Sequence, residues 1–138
     1  MHATPSNVGI GSGPLGYGGS VTINGGTVMA NATADAICTG RGGSITINGG
    51  DITARGGTGK YGNGNGIGSF NDADITINSG NIEAYSDRNG CGIGFGMPTT
   101  VKITGGTIKA VSNAIAAIGS PEYNAGSVSI TGGKVTAI

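Results

Sequence analysis

The chain lacks tryptophan and carries little charge. Its 138 residues include seven Lys or Arg side chains against seven Asp or Glu side chains, so the formal net charge is zero. This balance gives the chain no basic surface of the kind that nucleic acid requires. Apolar runs are short, so no stretch predicts a membrane-spanning helix. We therefore expect neither nucleic acid as a partner nor membrane insertion.

Cysteines and targeting features are equally scarce. Cys38 and Cys91 are too few for a disulfide framework or a zinc knuckle. The segment from Met1 to Pro5 lacks the charged start and the apolar stretch of a signal peptide. We expect that an export signal has been removed or that the chain is part of a larger secreted protein.

Glycine is abundant instead, with 31 residues, and one ten-residue pattern recurs five times. The copies run from Val21 to Ala30, Ile45 to Ala54, Ile75 to Ala84, Val101 to Ala110 and Val128 to Ala137. Their first residues lie 24, 30, 26 and 27 positions apart. Self-similarity at a period of about 20 to 50 residues indicates a solenoid or another repeat array.

Each copy contains two short strands, because its apolar residues alternate with polar ones. Ile45 and Ile47 face one way and Thr46 the other, and the alternation resumes after Asn-Gly-Gly with Ile52 and Ala54. A further isoleucine precedes each copy, at positions Ile10, Ile37, Ile67, Ile93 and Ile118. The sequence therefore predicts three short strands per repeat.

A series of β-hairpins is the competing interpretation, because Asn-Gly between alternating apolar residues is a strong hairpin signal. Hairpins do not explain the isoleucine that precedes each copy, whereas one turn of a parallel β-helix requires three strands in register. We predict an all-β, right-handed parallel β-helix of about five coils over residues 8–138, after a flexible segment over 1–7. The repeats run over about 8–30, 31–54, 55–84, 85–110 and 111–138.

Stacking of the coils turns equivalent positions into ladders. The columns that begin at Val21 and Ile23 predict the buried core. The last glycine of each corner, such as Gly50, predicts a positive φ or a position without room for a Cβ. Asn24, Asn48 and Asn78 predict hydrogen bonds from coil to coil. One intervening coil separates Cys38 from Cys91 by roughly 10 Å, so we expect free thiols.

Aromatic residues in the variable loops are the candidate ligand contacts, because sugar rings commonly bind aromatic faces with polar neighbours. Tyr61 has Lys60 beside it, and Tyr85 is followed by Asp87 and Arg88. These five residues form the predicted ligand-binding set. Packing of the two tyrosines against the molecule beneath their loops is the alternative.

A second candidate site lies at the loop before Ile75. Asp72 and Asp74, with Asn71, supply oxygen ligands of the kind that calcium prefers. The alternative is that these polar residues only turn the chain into the strand. No paired acid and base is evident, so we expect a non-catalytic protein.

The pattern I-T-I-x-G-G-x-I-x-A, alternating with G-I-G-S, resembles the β-helical repeats of bacterial cell-surface proteins, especially those of Firmicutes. The resemblance covers about residues 8–138. It implies an extracellular or cell-surface location, and either polysaccharide binding with calcium or a role in an adhesin stalk. Some such modules resemble pectate lyases, but Lys102 and Lys109 lack the acidic calcium ligands that lyase activity requires.

We therefore expect an extracellular, non-catalytic module for adhesion or glycan binding. A structural unit that stacks end to end into rods is the alternative from another class. A polysaccharide lyase is the third interpretation.

Overall fold

The structure of the protein is a computed structural model. It describes residues 2–3, 8–12, 16–60, 64–69, 72–95, 99–120 and 126–138. Within these residues the chain forms strands, turns and loops, and no helix is long and apolar enough to cross a lipid bilayer.

The strands form three parallel sheets. Sheet 1 contains β2 (Val8–Gly11), β5 (Asp35–Cys38), β8 (Ile67–Ser69), β11 (Ile93–Phe95) and β14 (Ile118–Gly119). Sheet 2 contains β3 (Ser20–Ile23), β6 (Gly43–Ile47), β9 (Ala73–Ile77), β12 (Thr99–Ile103) and β15 (Ser127–Ile130). Sheet 3 contains β1 (His2–Ala3), β4 (Thr27–Asn31), β7 (Asp51–Gly56), β10 (Asn81–Ser86), β13 (Thr107–Ser112) and β16 (Lys134–Ala137).

The chain passes through sheets 1, 2 and 3 in turn, which gives five coils from β2–β4 to β14–β16. Strands that flank an Asn-Gly corner do not pair with each other. Instead, β3 pairs with β6 and β4 pairs with β7, both in parallel. The prediction of a parallel β-helix with three strands per coil is confirmed, and the hairpin interpretation is wrong.

The core lies between the three sheets and is built from the predicted ladders. Ile47, Ile77 and Ile103 lie in one register column and are fully buried. Each such side chain contributes about 1.5–3 kcal/mol by leaving water. The fifth coil differs, because Val128 is 45% exposed and Ile130 is 49% exposed. These two side chains hold the predicted register, but the prediction that they are buried is wrong because no further strand of the described chain covers them.

The corner glycines have the backbone conformation that the sequence predicts. Gly50 has a φ of 106°, a region that residues with a side chain rarely adopt. A Cβ at Gly50 would also lie 2.7 Å from the carbonyl oxygen of Gly26 in the coil before it. Both predicted reasons for glycine therefore apply at this corner.

The predicted ladder of polar side chains at the corner is also confirmed. Asn48 Nδ2 donates a hydrogen bond to Asn24 Oδ1 at 2.9 Å, and Asn78 Nδ2 donates to Asn48 Oδ1 at 2.8 Å. Thr104 Oγ1 continues the series by donating to Asn78 Oδ1 at 2.8 Å. The ladder joins four successive coils along the outside of the solenoid.

The structure differs from the expectation of a flexible N-terminal segment, whereas the expectation about the two cysteines is confirmed. His2–Ala3 pair in parallel with Met29–Ala30, so a strand lies within the segment that the sequence predicts to be flexible. The rest of that segment lies outside the described residues. Cys38 and Cys91 form no disulfide, as predicted, and both are buried.

Candidate functional site

The outer face of sheet 3 brings a charged and aromatic group of side chains together across three coils. In strand register, Arg55 of β7 lies beside Tyr85 of β10, and Glu83 of β10 lies beside Lys109 of β13. All four side chains point outward because they alternate with the buried Ala54, Ala84 and Ala110 columns. We call Arg55, Glu83, Tyr85, Asp87 and Lys109 the Tyr85 cluster.

Tyr85 is the centre of this cluster. Its hydroxyl group donates a hydrogen bond to Glu83 Oε2 at 2.7 Å. Arg55 Cζ and Lys109 Nζ each lie 5.6 Å from the centroid of the tyrosine ring, which is within the range of cation–π attraction. Because β7 and β13 flank β10 on opposite sides, the two cations approach the ring from opposite sides. The ring is therefore held in place by its neighbours and is not an open platform for a sugar.

Arg55 also forms the ion pair of the cluster. Its Nε donates to Asp87 Oδ2 at 2.7 Å. The hydrogen bond to Asp87, followed by the charge of that carboxylate, raises the pKa of Arg55 above its usual range. Arg55 is exposed and Asp87 is half-buried, so the pair contributes only about 0–1 kcal/mol to stability. A ligand can therefore compete for either partner at little cost.

The structure divides the predicted ligand-binding set. Tyr85 and Asp87 belong to the Tyr85 cluster, and Arg88 is exposed, with its backbone beside Gly57. Lys60 lies in the loop that follows β7, and that loop is bonded to coil 1, since Thr58 N and Thr58 Oγ1 both donate to the Ala32 carbonyl. The prediction for Tyr61 lies outside the described residues.

Sequence reasoning missed Arg55 and misjudged the place of Tyr85. It placed Tyr85 in a loop, but β10 continues to Ser86 and β7 continues to Gly56. The signal was available, because Arg55 and Tyr85 each follow the last alanine of a repeat copy and so occupy the same position. Glu83 and Lys109 are neighbours in strand register, but within the described chain both contact Tyr85 and form no ion pair with each other.

The second predicted site, at Asp72 and Asp74, lines a cavity of about 160 Å³ where sheet 2 begins. We call this cavity the corner recess, lined by Gly42, Gly43, Asp72, Ala73, Asp74 and Thr100. Among the described residues, no group of three or more His, Cys, Asp or Glu side chains could hold a metal ion. Calcium at Asp72 and Asp74 would need its other ligands from backbone carbonyls or water. Calcium binding at this site stays a prediction.

A buried polar network lies inside the solenoid. Asp35 is 5% exposed, and its Oδ1 accepts hydrogen bonds from Asn65 N and Asn65 Nδ2, both at 2.8 Å. Asn65 Oδ1 in turn accepts from Cys91 N at 2.8 Å. The three residues each lie two positions before the ladder isoleucine of their coil, so the network ties coils 2, 3 and 4 together.

The titration of this network reflects its burial. Burial raises the pKa of Asp35, and its hydrogen bonds with Asn65 and Cys38 oppose that shift. Burial, followed by the nearby charge of Asp35, raises the pKa of Cys38. In both groups burial shifts the pKa towards the protonated form, and both lie away from the surface, which suits a structural role. Polar residues at three equivalent inward positions were the signal in the sequence.

Comparison with known proteins agrees with the observed coils. No curated protein and no solved structure matches the chain. A family model described as a beta helix repeat matches residues 21–37, 45–69, 75–94 and 101–120, which together exceed half of the chain. Each matched segment begins at the first residue of a repeat copy, in a strand of sheet 2. The chain therefore belongs to the β-helix repeat family.

Proposed function

We propose that the protein is a non-catalytic, extracellular module that binds glycans through the Tyr85 cluster. The observation that carries the proposal is a fixed aromatic ring with charged side chains of both signs around it on an outer sheet face. Extracellular display is the part of the proposal that rests on the resemblance of the repeats to cell-surface proteins.

Hydrogen-bonding capacity in the Tyr85 cluster supports a sugar ligand. Arg55 uses its Nε for Asp87, which leaves its two terminal amino groups for a ligand. Glu83 uses Oε2 for Tyr85, which leaves its second oxygen as an acceptor. Sugar hydroxyl groups both donate and accept, so they match a surface that offers donors and acceptors side by side.

The shape of the surface supports a chain-like ligand. The cluster extends over β7, β10 and β13, and adjacent strands are about 4.8 Å apart, so it spans roughly 10 Å along the solenoid axis. An outer sheet face encloses little of a ligand, in contrast to the deep pockets that bury most of a small molecule. We therefore expect weak binding of an extended polysaccharide.

The non-catalytic part of the proposal is supported by where the titrating groups lie. Among the described residues, the acidic groups with raised pKa values are Asp35 and Cys38, and both are buried in the interior. A polysaccharide on the outer face does not reach either group. We expect no cleavage of any glycan that the protein binds.

The test is a glycan-array screen with and without calcium, followed by titration calorimetry with the best ligand. Arg55→Met is expected to weaken binding by about tenfold, since one charge-assisted hydrogen bond contributes about 1.5–3 kcal/mol. Tyr85→Ala is expected to weaken binding as well, because the ring and its hydroxyl group hold Arg55, Glu83 and Lys109 in place. Lys102→Met is the matched control, because Lys102 is an exposed cation on sheet 2. Undiminished binding by both cluster variants, or the absence of any glycan ligand, would contradict the proposal.

A structural rod unit is the second candidate function. Its specific observation is the exposure of Val128 and Ile130, whose counterparts Val101 and Ile103 in coil 4 are fully buried. Strands β14, β15 and β16 also pair along one edge only within the described chain. Unpaired edges with exposed apolar side chains favour pairing with another copy of the chain.

A further inference from the structure

The corner recess is a concave site with no role in the Tyr85 cluster. It lies on sheet 2, whereas the Tyr85 cluster lies on sheet 3. Its volume of about 160 Å³ is several times the roughly 30 Å³ that one water molecule occupies in the liquid. The recess therefore has room for a group larger than a metal ion with one water.

Gly42 leaves part of the recess open, because a Cβ at this position would meet no atom within 4 Å. Gly42 and Gly43 lie beside Asp72 and Ala73 of coil 3. Gly42 N donates to the Asp72 carbonyl at 2.7 Å, which fixes the floor of the recess to coil 3. Thr100 lines the recess from coil 4. Polar residues of coils 3 and 4 thus line a space that Gly42 leaves open.

A second, independent feature stands beside the recess. Tyr17 is 83% exposed, the highest exposure of any large hydrophobic side chain in the described chain. Its backbone forms a parallel bridge with Arg41, which directly precedes Gly42. At this exposure both the ring and its hydroxyl group are accessible to a ligand. Unlike the ring of Tyr85, it has no cation over its face within the described residues.

We propose that the corner recess binds one residue of an uncharged sugar, with Tyr17 as the aromatic face against which the sugar ring packs. The carboxylates of Asp72 and Asp74 accept hydrogen bonds from adjacent hydroxyl groups, and Arg41 donates to an oxygen of the sugar. Two carboxylates repel an acidic sugar, which sets the specificity for neutral residues. The inference rests on the proposed function only for the ligand class, because the site itself is separate.

The test is a titration of the ¹⁵N-labelled full chain, followed by NMR. The probes are methyl glycosides of glucose, galactose and mannose, and the uronic-acid counterpart of each. We expect at least one neutral glycoside to shift the amide signals of Gly42, Gly43 and Thr100, and its acidic counterpart to leave them in place. Asp74→Asn and Tyr17→Ala should each weaken this response by about tenfold. Asp51→Asn is the matched control, since Asp51 is an exposed carboxylate on sheet 3.

The outcomes separate the two proposals. No response at the recess to any neutral glycoside would overturn the inference, and so would an equal response to the acidic sugars. A shift of the same amides with calcium chloride alone, without any sugar response, would assign the recess to calcium instead. Shifts at the Tyr85 cluster without shifts at the recess would overturn the inference and leave the proposed function standing. Shifts at the recess without shifts at the Tyr85 cluster would support the inference and contradict the proposed function.

Discussion

At the scale of single residues, Asp35 combines burial with a structural hydrogen-bonding role. Its carboxyl group joins coil 2 to coil 3 through Asn65, yet it lies in a medium that disfavours its charge. The raised pKa means that the folded protein binds a proton that the unfolded chain has already released. That stabilisation is complete below the ordinary pKa of 3.8 and is lost as the pH rises through the folded-state value.

Asp35→Asn is expected to remove this pH dependence and to stabilise the protein at neutral pH. The amide keeps an oxygen for Asn65 and carries no charge to bury. Urea unfolding between about pH 4 and pH 8 provides the measurement. The wild type should lose stability as the pH rises, whereas the variant should stay level.

Asp35→Ala is the control for that experiment. It leaves the buried donors of Asn65 without an acceptor, at a cost of about 1–3 kcal/mol at every pH. An Asp35→Asn variant with the same pH slope as the wild type would show that another group titrates.

At the scale of elements, the three-residue corner between sheets 2 and 3 determines how the coils stack. Its glycines differ in what restrains them. Gly25 has no neighbour within 4 Å of an added Cβ, and Gly26 is equally open but has a φ of 84°. Gly50 combines a φ of 106° with a Cβ position 2.7 Å from the Gly26 carbonyl oxygen. The three positions separate backbone strain from steric overlap.

A series of alanine substitutions at these corners is therefore expected to show graded destabilisation. Gly25→Ala should be neutral or stabilise by up to about 1 kcal/mol, because only the unfolded chain is affected. Gly26→Ala should cost about 1–2 kcal/mol from strain. Gly50→Ala should cost more, because the backbone of two coils must also move apart. Thermal unfolding measures all three, and equal losses at Gly26 and Gly50 would contradict the role of close stacking.

The elements also show where sequence reasoning succeeds and where it stops. Apolar alternation and corner glycines repeat in every copy, so the strands of sheets 2 and 3 were predictable from residues within one coil. Tyr85 was assigned to a loop because the alternation ends at Ala84, but main-chain hydrogen bonds extend β10 without needing an apolar side chain. The corner recess was out of reach for a related reason. Its shape depends on Gly42 of one coil facing Asp72 of the next.

At the scale of the whole molecule, the lateral sheet faces and the ends of the solenoid differ in the side chains that they expose. Side chains on the lateral faces meet solvent, whereas the end formed by coil 5 presents side chains that are core elsewhere. Val128, Ile130 and Ile138 are all exposed there. At the opposite end, β1 pairs with two residues of β4, and within the described chain β2 and β3 are the last strands of their sheets. Contact between unlike ends does not close on itself and builds filaments.

We predict that the protein associates end to end as its concentration rises. Ile130→Lys should shift sedimentation towards the monomer, because a charge then replaces an apolar side chain at the stacking surface. Met29→Lys is the matched control, since Met29 is 45% exposed but lies on the outer face of sheet 3. A wild-type protein that stays monomeric at every concentration would exclude the rod function.

The unequal loops have a consequence for how such a protein changes over time. The connection after β7 spans residues 57–66, whereas the one after β4 spans only 32–34, yet β5 and β8 remain neighbours in register. Insertions at this corner therefore change the exposed surface of the molecule while the strand register is kept. The loops determine part of the surface that the molecule exposes, and the strands and corners determine whether it folds. Selection can therefore change the loops while the strands and corners stay the same.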